Sequence, residues 1–203
     1  MSTIGLMPGS YKPLHAGHYA VIQLVAKEND RALLFVSTSD RDNVSGQAMA
    51  KIWKEQIEPT LPDNVEVTYG GSPVGNVWKT LGEADKAGST DTFVIYSDDV
   101  DVEANYPDDM LIKYAPDLFG SGQIVRRPVK RSSTVNISGG KMREFLASGD
   151  KKSFLKYLPK QIDGNAVWDT LLSFTPVKKA LTKKKTTVKS ENFLRRVIKF
   201  FVS

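Results

Sequence analysis

The chain has 203 residues, no cysteine and a formal net charge of +5. Without cysteine there is no disulfide framework, no thiolate metal site and no thiol catalysis. No apolar run approaches the ~18 residues of a bilayer span, and the first residues lack a basic stretch followed by an apolar one, so a soluble, cytoplasmic chain is expected. The charge is uneven: residues 176–203 hold nine Lys or Arg and one acid, which leaves residues 1–175 acidic, with a net of about −3. A body of that charge lacks the clustered cations that track a nucleic-acid backbone, so nucleic acid is not an expected partner of it.

In chain order, short apolar or β-branched runs alternate with longer segments of helical period. Strands are expected at 3–7, 32–37, 65–69, 92–97 and 123–127, and helices at 16–27, 47–58, 74–86 and 107–114. Three further helical segments follow at 140–147, 151–157 and 164–174. Alternation of this kind predicts parallel strands joined by crossover helices, an α/β, Rossmann-like, doubly wound five-stranded sheet with a helical C-terminal portion. The expected division is a domain over 1–175 and a basic linker with an amphipathic helix over 176–203. In such sheets ligands bind beyond the carboxyl ends of the strands, so the first strand-to-helix loop is the place to look for chemistry.

That loop reads Met7-Pro8-Gly9-Ser10-Tyr11-Lys12-Pro13-Leu14-His15-Ala16-Gly17-His18 and contains both histidines of the protein. A helix beginning near His15 puts His18 one turn on, with the two imidazoles on one face at the helix N-terminus. Unpaired N–H groups and the positive end of the helix dipole make that end suitable for phosphate, and Gly9 and Gly17 would let backbone approach a ligand. Two histidines three apart also occur where one caps a helix and the other packs. A zinc pair would need a third ligand, and none stands nearby in sequence.

Gly9, Ser10, Tyr11, Pro13, His15, Gly17 and His18 resemble, in register, the first loop of the HxGH nucleotidylyltransferases, the superfamily of the nicotinamide mononucleotide, phosphopantetheine and glycerol-phosphate enzymes. Lys12 departs from it, standing where many members carry Asp; a lysine there could meet an anionic group. The family closes its phosphate site with a second motif at a helix start after the fifth strand. Ile137-Ser138-Gly139-Gly140-Lys141-Met142-Arg143 is similar to that motif, with Gly140 where Thr is usual. Ser138 is a good N-cap, the glycines free N–H groups, and Lys141 and Arg143 supply cations. The closing Arg143 is more like the adenylyl than the cytidylyl enzymes, which favours ATP over CTP.

The resemblance implies direct displacement at the α-phosphorus of a nucleoside triphosphate by the phosphate of a small acceptor, with Mg²⁺ travelling on the triphosphate. His15 and His18 would serve the α-phosphate, Arg143 and Lys141 the β- and γ-phosphates, and Ser10 and Lys12 the acceptor. Asp98 ends the fourth strand in the run Ser97-Asp98-Asp99, where relatives carry a Gly-x-Asp-like element near the nucleotide; an ordinary Asp-rich turn explains it equally. Trp53, Trp78 and Trp168 read as core. Phe193, Leu194, Val197, Ile198 and Phe201 share one helical face in the tail, which could dock on a partner subunit, an anionic membrane surface or nucleic acid, or pack on its own domain, the reading preferred here. A homo-oligomer is the expected assembly. A nucleotide-binding regulator without turnover is the alternative function, raised by Lys12 and Gly140.

Overall fold

The computed structural model describes residues 1–129 and 137–174, apart from the side chain of Asp99. The basic stretch at 178–189, the amphipathic run at 193–201 and the boundary at 175 lie outside the described residues. Five strands, β1 (Thr3–Gly9), β2 (Arg31–Val36), β3 (Val65–Tyr69), β4 (Thr92–Ser97) and β5 (Ile124–Pro128), form one sheet of order β3-β2-β1-β4-β5. Every pairing is parallel. The sheet is α/β and Rossmann-like, as the alternation of apolar runs and helical segments predicts.

Composition sorts the strands into centre and edge. Inner β1 and β2 carry near-continuous apolar residues, and Leu6, Ala32 and Leu34 are fully buried. Edge strand β3 alternates Val65, Val67 and Tyr69 with the exposed Glu66 and Thr68, and edge strand β5 ends in Pro128, which has no N–H to give a ladder.

Each sheet face has its own core. On one face α1 (Ala16–Glu28), α2 (Gly46–Ile52), α7 (Gly139–Ser148), α8 (Lys151–Lys156) and α9 (Gly164–Phe174) contribute Ile22, Met49, Met142, Phe154 and Trp168 to a single cluster. On the other, α3 (Pro73–Lys86), α4 (Asp99–Asn105), α5 (Asp108–Tyr114) and α6 (Pro116–Gly120) pack Val77, Leu81, Val102, Leu111 and Leu118 against Ile4, Leu6 and Ile95. Close approach of α1 to the sheet requires Gly5, because a Cβ there would stand 2.6 Å from Val25 Cγ1. Trp53 and Trp168 are core residues as expected; Trp78 is half-buried and packs its ring on Tyr106 and Tyr114.

Three elements differ from the sequence reading. The helix expected over 47–58 is α-helical only to Ile52. It widens into a π turn over Trp53–Ile57, where Glu58 N–H reaches Trp53 O, and ends in a 3-10 turn over Glu58–Thr60. Pro59 cannot donate to an α-helical ladder, and the widened turn leaves both Trp53 and Ile57 fully buried. The Asp-rich segment at 98–101 opens a helix, α4, and a second unanticipated helix, α6, has Pro116 in its first turn. Both are short, seven and five residues.

Candidate functional site

Strand order reverses at β1: the chain leaves it for β2 on one side and returns to β4 on the other. A cavity of about 380 Å³ opens at the carboxyl ends of β1 and β4, the crevice in which doubly wound sheets hold ligands. Gly9, Ser10, Tyr11, Lys12, His15, Gly17 and His18 line it from the first loop; Asp98 lines it from the end of β4, and Ser138, Gly139, Gly140 and Arg143 from α7. Among the described residues, neither Lys141 nor Pro13 of the first-loop motif is in this lining.

The first loop is built into the core. Tyr11, at φ 46 in the left-handed region, buries its ring, and its hydroxyl donates to Met7 O at 3.1 Å. The ring meets His18 edge-on at 5.2 Å and Trp53 at 5.4 Å. Burial, with a smaller effect from Tyr106, pushes its phenol pKa well up, so it stays neutral. Gly9 is needed for this packing: a Cβ there would lie 2.5 Å from Tyr11 Cζ. Gly9 thus serves a contact inside the protein while also lining the cavity.

His15 is the N-cap of α1, its Nδ1 accepting from the backbone N–H of His18 at 3.3 Å. An accepting Nδ1 leaves Nε2 as the nitrogen that can carry a donated proton. The two rings are stacked, 3.7 Å between centroids and 22° between planes. Capping and cavity lining, alternatives in the sequence, are combined in one side chain.

Lys12 is 2 % exposed, and its Nζ donates to Ser37 Oγ at 3.1 Å. Burial lowers its pKa; Asp40 opposes the shift, and Arg41 adds to it. Arg41, unanticipated in the sequence, donates from Nη1 to Ser10 Oγ at 2.9 Å and lines the cavity. Its only signal was position, since the segment after β2 also leaves a strand's carboxyl end.

Across the cavity Ser138 caps α7, its Oγ accepting from Lys141 N–H at 3.1 Å. Gly139 permits close approach, since a Cβ there would meet Arg143 Nη1 at 3.2 Å and Lys12 O at 3.5 Å. A Cβ at Gly140 would stay at ordinary contact, 3.6 Å from Ser138 Oγ, so that position has room for a side chain. Arg143 donates from Nη1 to Lys12 O at 2.8 Å, and its Nε lies 2.7 Å from Asp42 Oδ2. Lys141 does not line the cavity: its half-exposed ammonium pairs at 2.8 Å with Glu144, one turn along the helix, which also raises its pKa. Asp98 caps α4 by accepting from Asp101 N–H at 2.9 Å, and both carboxylates line the cavity.

The arrangement brings a stacked imidazole pair, Lys12 and Arg41, and Arg143 with the α7 N-terminus to the lining of one cavity, with Arg143 joined directly to Lys12 O. Tyr96, Val21, Val129 and Ile137 supply apolar wall. No protein-family model matches the chain, and no curated protein does. Among solved structures it is similar to Thermotoga maritima TmcAL bound with alpha-thio ATP, at 14 % identity and a TM-score of 0.49, over 85 % of this chain and 55 % of that one. The chain thus spans about half the length of that neighbour.

Proposed function

We propose that the protein is a nucleotidylyltransferase that moves a nucleoside monophosphate, AMP in preference to CMP, from a nucleoside triphosphate to the phosphate of a small acceptor. The observation that carries this reading is the stacked His15–His18 pair lining the switch-point cavity together with Lys12, Arg41 and Arg143. An oxygen of the acceptor phosphate attacks the α-phosphorus, the bond from that phosphorus to the bridging oxygen breaks, and pyrophosphate leaves with the electron pair. Such a transfer requires positioning and charge stabilisation more than proton transfer.

His15 Nε2 and His18 donate to the α-phosphate as its charge grows. Arg143 and the N–H groups at the start of α7 take the β- and γ-phosphates. Lys12, Arg41 and Ser10 orient the acceptor phosphate, which two cations keep close despite its repulsion from the triphosphate. Mg²⁺ travelling on the triphosphate would neutralise part of its charge, and Asp98 and Asp101, which line the cavity, would orient it through water. Apolar Val21, Val129 and Ile137 suit a base.

Pyrophosphate release is the deciding measurement, with ATP and CTP offered against nicotinamide mononucleotide, phosphopantetheine, glycerol phosphate, phosphocholine and sugar phosphates. Release with one acceptor, abolished by His18→Ala in a folded protein, supports the assignment; full turnover by that variant would sink it. The room left beside Ser138 Oγ at Gly140, where a hydroxyl could have met phosphate, supports a second reading as a non-catalytic nucleotide-binding regulator. That protein would hold ATP and release no pyrophosphate with any acceptor.

A further inference from the structure

Arg143 is fixed at two of its three guanidinium nitrogens. Nε is held by Asp42 Oδ2 at 2.7 Å, and Nη1 by Lys12 O at 2.8 Å. The carbonyl of the same residue accepts from Asn43 Nδ2 at 3.3 Å. Residues 41–43, which follow β2, therefore grip both halves of the cavity: Arg41 holds Ser10, while Asp42 and Asn43 hold residue 143. Asp42 adopts φ 52, a left-handed conformation that Asp and Asn tolerate better than other side-chain-bearing residues.

The pair is lopsided. The Asp42 side chain is 67 % exposed and that of Arg143 only 15 %. An ion pair with one partner so open to water adds little stability, so stability does not account for its geometry. Orientation does: a planar guanidinium with Nε and Nη1 both engaged cannot swing about its last bonds, and its other N–H groups keep one direction.

We propose that Asp42 is a positioning residue, holding the Arg143 fork in the direction that receives the nucleotide's phosphates. The identity of that ligand rests on the nucleotidylyltransferase reading; the role of Asp42 does not require turnover. Had the carboxylate merely occupied the place of a phosphate oxygen, its removal would tighten binding, so the two ideas differ in sign.

Asp42→Asn removes the charge, keeps the shape and tolerates the same φ. The test titrates inorganic tripolyphosphate and ATP calorimetrically into wild type, Asp42→Asn, Arg143→Ala and the double variant, at fixed salt and without acceptor. Asp42→Asn is expected to weaken both ligands by about tenfold, the scale of one well-formed charged contact, with the double variant no weaker than Arg143→Ala alone. Unchanged or tighter binding by Asp42→Asn, or an equal further loss in the Arg143→Ala background, would overturn the proposal. Wild-type protein that binds tripolyphosphate but releases no pyrophosphate with any acceptor removes the transferase reading and leaves the role of Asp42 to be decided by the variants. Wild-type protein that binds neither ligand removes both.

Discussion

The two halves of the site are held by different means. The first loop is part of the core: Tyr11, Lys12 and His15 are at most 5 % exposed, and the Tyr11 ring is clamped among Gly9, His18 and Trp53. The α7 half sits at the surface, with Ser138 exposed and Gly139, Gly140 and Arg143 only half-buried. It is set by one cap, one close glycine and the two anchors of a single guanidinium. Packing makes the imidazole pair costly to move, whereas a few polar contacts leave the phosphate end open to adjustment. Mutations in the first half should therefore register as stability, and mutations in the second as binding.

The largest expected effect lies in the first half. Tyr11→Ala removes a buried ring and leaves Met7 O without its hydroxyl donor, so it should destabilise by about 3–5 kcal/mol in a denaturant titration. A loss below about 1 kcal/mol would show that the loop is not part of the core. The second half should respond more weakly: Ser138→Ala leaves an N–H of α7 without its cap and should cost about 1 kcal/mol. A cost as large as that of Tyr11→Ala would abolish the contrast between the halves.

The smallest effect is a slope. Burial lowers the Lys12 pKa below its ordinary value of 10.5, so between the lowered and the ordinary value the unfolded chain holds a proton that the folded chain has shed. Stability from this group therefore rises with pH through that window, and below it the buried charge is a constant cost. Lys12→Met should flatten the pH dependence of unfolding in that alkaline range. An unaltered slope would mean that Lys12 titrates as if it were in water.

Much of the fold was legible because its signals are local. Strands β3 and β4 and helix α9 stand where hydrophobic period puts them, and every expected strand lies within two residues of an observed one. The misses have physical causes. Helix α6 spans only five residues, and the π turn at Trp53–Ile57 runs directly into Pro59, which has no N–H for an α-helical ladder, with Trp53 and Ile57 both buried. In the site, the spacing of His15 and His18 put both rings at one helix start, and Ser138 read as a cap is a cap. Lys141 pairs on the surface with Glu144, one turn along the helix, a contact that charge counting does not reveal. Arg41 and Asp42 carried no motif, and their partners Ser10 and Arg143 are 31 and 101 residues away in sequence.

By itself the sequence determined the α/β alternation, the loop that follows the first strand, and the clustering of imidazoles and N–H groups at one helix end. Those features follow from side-chain period, turn chemistry and capping, which act over a few residues. Only the tertiary structure decided that Gly9 serves the Tyr11 ring, that Lys12 is buried on Ser37, and that Asp42 and Lys12 O share Arg143. Each of these depends on which strand carboxyl ends become neighbours, and that is fixed by the order β3-β2-β1-β4-β5, in which residues far apart in the chain meet at one reversal point.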